Sequence, residues 1–587
     1  MLGASDLGED GMSVPGLRDE VSRRRLLKAV VGTAVGMPLL AACAPALPSA
    51  GPTSRPAATT GTSGAAGNAV FPTFAPFSGG PTPAYAASGP EYSDGFDTYP
   101  AAPLKSVPEV PGSGGTVNMM SIQLFPPPTP LEQNPAWQAV NKALNADVHF
   151  NIVTSADYPV KLGTVMAGSD LPDVIYMYAR PGSASTLAAA AGIPQFLQAK
   201  AQDLTPYLAG DAAKDYPNLA AIPTTAWKNA GCAYQGRLYM LPIHRYLPGQ
   251  MFVKNSTVWD RELGADYVPK DADDFKRVLR QLTRPQEEFY GIGTGQQTQM
   301  MMPGFAAMFG APNDWRLESD GKLTKDLETP EYKAAVGYAR DLWAAGVFHP
   351  NSTSWASNVI ARAQFAGSRF AVHRDPINGW QDSWRQALST SQPFDVRPLP
   401  AFPAQSGGKL VHYVTGGHLW ATALRQGPPD RIKEMLRILN WIAAPFGSQE
   451  HQLMTFGVPG VDYNVDSAGN PIVTPQGNAD AYYVPWKYIV GARWVFYTPD
   501  LPNYAKVMTD TEHLLMPYAV SNPTFGQVSV TNFSKGFTLQ QVVDDTLVDI
   551  IVGRRPMEDY DQMVKDWLNN GGEMMRKEYQ DSITASA

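Results

Sequence analysis

His244-Arg245-Tyr246 sets an imidazole, a guanidinium and a phenol on three consecutive residues, directly after an apolar run. Arg245 offers a planar fork that matches a carboxylate, and so a uronic acid, and Tyr246 adds a ring with a polar tip. Trp486, Arg493 and Trp494 interleave aromatic and basic chemistry in a stretch broken by glycine. Trp380 follows Asp375-Pro376-Ile377-Asn378-Gly379, while Tyr178, Gln123 and Trp227 close other strand or helix patterns. Gly416-Gly417-His418 lets the backbone approach a bound molecule closely. Together these residue types suit a polyhydroxylated ligand: its C–H faces stack on rings, and each hydroxyl needs a directed donor or acceptor. Each also has a plainer reading. Trp380 and Trp227 fit a packed core, residues 244–246 a surface loop, and His418 a satisfied structural histidine.

Motifs for catalysis are missing from the sequence. It contains no His-Glu-x-x-His pair, no Gly-x-Ser-x-Gly elbow and no Walker loop. Gly291-Ile292-Gly293-Thr294-Gly295 has the wrong spacing for a dinucleotide turn. Asp462, Asn464 and Asp466 resemble the start of a calcium loop, but Gly469 is misplaced and Val473 stands where the bidentate Glu belongs, so a turn is expected. No cofactor or metal is expected. The two cysteines, Cys43 and Cys232, form no disulfide framework, and Cys232 reads as a buried single thiol. A glycosidase carboxylate pair can lie far apart in a chain, which keeps a secreted glycosidase as a rival to simple binding.

These residues need a scaffold to position them. The chain has 587 residues, too many for one hydrophobic core, and 44% are hydrophobic. A net charge of −8 argues against a nucleic-acid partner. Residues 1–43 read as an export address: Arg23-Arg24-Arg25 precedes the apolar run Ala29 to Leu40, which is too short to span a bilayer. The paired arginines suit the twin-arginine route, and Met12 is a second candidate start. Residues 44–115 are rich in Pro, Gly, Ser, Thr and Ala, so a flexible tether is expected there. Beyond it, strand runs such as Asp173-Val174-Ile175-Tyr176-Met177 alternate with helix patterns. Asn134-Pro135 opens one helix, Thr329-Pro330 another, and Thr538 to Val552 and Asp559 to Leu568 read as two more. Alternation of this kind predicts an α/β fold with a largely parallel sheet.

Leu40-Ala41-Ala42-Cys43 resembles the lipobox of bacterial lipoproteins, which implies cleavage before Cys43 and diacylation of its sulfur. Five segments of the body resemble the extracellular solute-binding family 1 of ABC importers, nearest its oligosaccharide and aldouronate lipoproteins. They are Met166-Ala167-Gly168-Ser169-Asp170-Leu171-Pro172-Asp173-Val174, Gln235 to Pro242, Met251 to Trp259, Gly457 to Tyr463, and the tail Trp567 to Glu573. In the third segment the usual acidic-aromatic pair is absent. Membership implies a periplasmic-binding-protein-like fold of type II: two α/β lobes, a hinge and a cleft between them. The expected lobes are residues 116–240 plus 375–418 and residues 241–374 plus 419–587. The expected crossings are Leu238 to Tyr246, Phe370 to Asn378 and Val414 to Leu419. The resemblance implies a monomer on the outer face of the cell membrane that closes on a carbohydrate and passes it to permease subunits without catalysis. The ligand set expected is Trp380, Arg245, Tyr246, Trp494, Arg493, Trp486, Tyr178, Gln123, Trp227 and His418. A peptide or polyamine ligand and a purely structural surface protein are the other readings.

Overall fold

The computed structural model describes residues 70–155, 157–177, 192–295, 300–355, 358–377, 379–389 and 394–586; the side chains of residues 380, 389 and 586 lie outside that description. Cys43 and Tyr178 therefore fall outside the described residues, as does the side chain of Trp380.

Nine strands carry the architecture. In chain order they are β1 (Thr116–Gln123), β2 (Asp147–Thr154), β3 (Val174–Met177), β4 (Met240–His244), β5 (Gln250–Asn255), β6 (Tyr290–Ile292), β7 (Phe370–Pro376), β8 (Val396–Pro398) and β9 (His418–Leu424). One sheet has five strands in the order β2-β1-β3-β9-β4, and the other has four in the order β8-β5-β7-β6. β1, β2 and β3 run parallel, and β9 is antiparallel to both β3 and β4. All four residues of β3 are buried, as a central parallel strand covered on both faces requires.

Helices cover both sheets. Helix α1 (Pro135–Leu144) starts where the sequence predicts, with the Asn134 side chain accepting from the Trp137 N–H. Helix α2 (Pro330–Ala344) is capped by Thr329 in the same way. Helix α3 (Trp380–Ser389) follows β7, α4 (Pro429–Ile442) follows β9, and α5 (Tyr504–Leu515) lies further on. Helix α6 (Val530–Ile551) begins at Val530 rather than Thr538, because Ser529 supplies the cap. Helix α7 is Asp559–Trp567. One core, containing Val117, Ile175, Leu241 and Leu436, surrounds the five-stranded sheet. The four-stranded sheet has a core on each face, one with Phe275, Val336 and Ile550 and the other with Phe365, Phe370 and Tyr504.

The strands partition differently from the expected boundaries. Phe370 to Pro376 does not cross between lobes: it is β7, inside the four-stranded sheet, paired with β5 and β6. Residues 396–398 pair with β5 in that sheet, whereas 418–424 and α4 belong to the five-stranded side. The chain passes from one sheet to the other at 245–249 and returns at 414–417. These two passages are hydrogen-bonded side by side: Arg245 N to Gly417 O at 2.9 Å, Thr415 N to Leu247 O at 2.8 Å and Gly249 N to Tyr413 O at 3.1 Å. Only glycine fits at 249, since a Cβ there would lie 2.2 Å from the Tyr413 carbonyl oxygen. A further passage lies near Gly491, which bridges to Ile243.

The expected tether needs a larger correction. Residues 70–115 are built into the body, and aromatics are the reason. Asp94–Gly95 forms a short parallel pair with Val495–Phe496. Phe96 and Tyr99 are buried, and the Tyr99 ring lies 5.0 Å from Phe446 and 5.3 Å from Phe456. Buried acids then hold the arm: Glu512 takes the Ser93 N–H at 2.7 Å, and Glu450 takes the N–H groups of Ser106 and Val107. A composition dominated by Pro, Gly and Ala masks the few rings that bury enough surface to order a segment.

Candidate ligand-binding cleft

The C-terminal ends of the parallel strands β1, β3 and β4 point toward the two side-by-side passages, which places the segments after them at the junction of the sheets. A cavity of about 680 Å³ lies there. Its walls come from both sides: Tyr234, Arg245, Tyr246 and His418 from the five-stranded lobe, and Gln250, Arg374, Lys325, Tyr332 and Tyr413 from the four-stranded lobe. Residues 522–528 close one flank, where Gly526 packs on Gly231 and on the Lys228 carbonyl so tightly that no side chain fits. A second cavity of about 700 Å³ sits between α6 and α7, within one lobe, where a hinge cannot close it.

Arg245 is held in place by its own surroundings. Its Nη1 donates to the His244 carbonyl at 2.7 Å, and its guanidinium stands 5.0 Å from the centre of the Trp494 ring. Trp494 meets Tyr246 edge-on at 5.5 Å. The Trp494 N–H donates to His244 Nδ1 at 2.9 Å, so that nitrogen is an acceptor. Burial, with the charges of Arg245 and Arg493 added, lowers His244 to about 3 and keeps it neutral. Burial also lowers Arg245.

Beside Arg245, a lysine sits among rings. Lys487 Nζ is 3.1 Å from the centre of Tyr482, 4.5 Å from Phe125 and 5.7 Å from Tyr488. Burial pushes Lys487 well below the usual lysine range, and the charge of Arg245 pushes it further. The Phe125 and Tyr483 rings stack at 5.8 Å, and Tyr176 meets Trp420 edge-on at 5.4 Å.

The facing wall treats charge in two ways. Burial lowers Lys325, but Asp314 and Asp326 outweigh it and raise the ammonium above its usual range. Lys325 Nζ bonds Asp326 at 2.6 Å and also Asp314, close to the Trp315 and Trp567 rings. Arg374, only 9% exposed, donates to Gln250 Oε1, and burial lowers it to about 10. Its neighbour Asp375 points to the other face of β7, where Arg362 holds it with two bonds of 2.7 Å.

Of the expected ligand set, Arg245, Tyr246 and His418 line the cavity, and Trp494 packs against two of them. Gln123 ends β1. Three residues lie elsewhere. Trp486 is buried in the core, its ring 4.9 Å from Phe150. Trp227 is fully buried in the same core. Arg493 is spent on the N-terminal arm: it pairs with Asp94 at 2.9 Å and donates to the carbonyls of Gly89 and Tyr92. The sequence reading missed Arg374 and Lys487. The first carried a legible signal, since His373-Arg374-Asp375 interrupts an otherwise apolar strand; the second sits in Trp486-Lys487-Tyr488, ringed by aromatics.

Cys232 is fully buried, and burial raises its thiol well above the usual range, which makes it inert. Asp466 caps a hairpin turn, accepting from the N–H groups of Ala468 and Asn470 at 2.8 Å. Among the described residues no group of His, Cys, Asp and Glu is arranged to hold a metal ion, and no helix is long and apolar enough to cross a membrane.

No protein-family model matches the chain. It is similar to the polygalacturonan/rhamnogalacturonan-binding protein YtcQ of Bacillus subtilis strain 168, with 22% identity over 76% of this chain and 88% of YtcQ. It is also similar to lipoprotein LipO of the same organism, with 23% identity over 80% of this chain and 92% of LipO. Among solved structures, the alginate-binding protein AlgQ2 superposes with a TM-score of 0.57 at 14% identity, over 80% of this chain and 98% of AlgQ2. The fold is thus that of the solute-binding proteins: two α/β lobes joined by crossing segments, with a cleft between them.

Proposed function

We propose that the chain is the solute-binding component of an ABC importer. It captures an extracellular oligosaccharide between its two sheets and delivers it intact to permease subunits in the membrane. One observation carries this reading: the cavity at the paired passages is walled by both lobes, with aromatic rings and hydrogen-bonding side chains on each. That geometry suits a sugar, which presents apolar faces and hydroxyls together. YtcQ and AlgQ2 are named for the acidic polysaccharides they bind, and LipO is named a lipoprotein. Export, cleavage before Cys43 and diacylation of its sulfur would hold the body at the outer face of the membrane. Rotation about residues 245–249 and 414–417 would close the walls on the ligand.

A thermal-shift screen of the full chain tests the proposal. The panel is oligosaccharides, peptides and polyamines. A ligand that binds only the folded state stabilises it by about 2.7 kcal/mol at a hundredfold excess over its Kd. The expected result is a rise in Tm with one class of sugar, and recovery of that sugar uncleaved. A rise with peptides or polyamines alone would overturn the carbohydrate reading, and a cleaved sugar would identify a glycosidase.

A further inference from the structure

Two guanidinium groups stand at the cleft with no carboxylate on either of them. Arg245 lines the cavity from the five-stranded lobe and Arg374 from the four-stranded lobe. Among the described residues neither makes an ion pair, and the neighbouring acids are already engaged. Asp375 and Asp382 are held by Arg362, and Asp314 and Asp326 by Lys325. The undescribed positions between 70 and 587 contain no Asp or Glu at all, so they cannot supply the missing charge.

Arg374 poses the sharpest case. It is nine-tenths buried, and its Nε meets no hydrogen-bond acceptor among the described residues. Its backbone is locked in β7, and its stem passes over Gly304, where an added Cβ would lie 3.3 Å from Cδ. The group is therefore placed, not drifting. A buried guanidinium ordinarily carries a carboxylate, because an unpaired charge in a desolvated site is costly and arginine keeps its proton at neutral pH.

We infer that the ligand supplies the absent anions: the bound sugar is an acidic oligosaccharide whose uronate carboxylates seat on Arg245 at one wall and on Arg374 at the other. The inference rests on the carbohydrate reading above and narrows it. A neutral sugar would leave these cations desolvated and unpaired when the lobes close. A polyamine would add a further like charge.

Calorimetric titration of the full chain decides it. The probes are oligomers of galacturonate, alginate and glucuronoxylan, each beside its carboxyl-reduced neutral counterpart, with a sulfated neutral oligosaccharide and a peptide as controls. The expected result is that at least one uronide binds about 10- to 100-fold more tightly than its reduced form, with the preference shrinking as salt is added. Arg374→Gln should lose at least about tenfold of that preference with no loss of Tm. Should that variant fold poorly, the comparison of acid with reduced ligand on the unmodified chain stands alone. Equal affinity for acid and reduced forms, or a preference for the sulfated sugar, overturns the inference and leaves the carbohydrate reading intact. Binding of the peptide alone, or of none of the probes, overturns both.

Discussion

Lys325 and Arg374 line the same cavity and are both buried, yet the protein treats their charges in opposite ways. Lys325 has Asp314 and Asp326 on its ammonium and two tryptophan rings beside it. Its positive charge is consumed inside the molecule, and it ties Asp326 and Trp315 to Trp567 at the foot of α7. Arg374 has a glutamine amide and no acid. The difference separates a structural cation from one that waits for a partner. A cation that is already paired gains little from a ligand; one that is desolvated and unpaired gains the full attraction.

The largest effect should come from breaking the paired cation. Lys325→Met leaves the half-buried Asp326 without its partner, and desolvation already raises that carboxyl to about 6 even with the lysine present. The expected loss is about 3 to 5 kcal/mol of stability, read by denaturant unfolding. The preference for acidic over carboxyl-reduced ligand should survive in whatever fraction folds. If that preference vanished while Arg374→Gln kept it, the division between structural and ligand-directed cations would be reversed.

Next in size is Asp375→Asn, one residue along β7 from Arg374. Asp375 is fully buried and takes two bonds from Arg362. Its loss should cost about 2 to 3 kcal/mol in unfolding measurements, as expected for charge-assisted bonds with one partner removed. Affinity should change far less than in Arg374→Gln. The pair of variants tests two side chains on the two faces of one strand, and the expected outcomes are opposite: stability for one, ligand preference for the other.

That contrast also explains what the sequence could reveal. Periodicity and caps located α1 and α2 and the parallel strands, because those signals are local. Arg245 and Tyr246 were legible because they follow an apolar strand directly. Which lobe a segment joins was not legible: the family resemblance implies a crossing at β7, and only its pairing with β5 and β6 shows otherwise. Trp486 and Trp227 illustrate a second limit, since a tryptophan's type does not say whether it faces a core or a cleft. Arg493 illustrates a third, for its partner Asp94 lies 399 positions earlier in the chain. The arm at 70–115 was misread because a few rings outweigh an otherwise flexible composition.

Glu512 gives the smallest effect and sharpens the comparison from the acidic side. It too is fully buried and forms no ion pair among the described residues; Ser93 supplies its bonds through both N–H and hydroxyl. Burial pushes its carboxyl up to about 7 from the ordinary 4.5, against the pull of Ser93 and Arg493. An acid can meet burial by taking up a proton, which arginine has no counterpart for at neutral pH. Because the folded state holds that proton more tightly than the unfolded chain, the contribution of Glu512 is fully present below about pH 4.5 and is lost as pH rises through 7. Glu512→Gln keeps an acceptor for the Ser93 N–H and cannot ionise. It should match the unmodified chain in Tm at pH 5 and exceed it by about 1 to 2 °C at pH 8. Equal melting at both pH values would mean that Ser93 and Arg493 together stabilise the carboxylate as fully as Asp314 and Asp326 stabilise Lys325. A buried charge without an ion-pair partner could then be satisfied within the protein, and the argument that Arg374 awaits an anion would lose its physical basis.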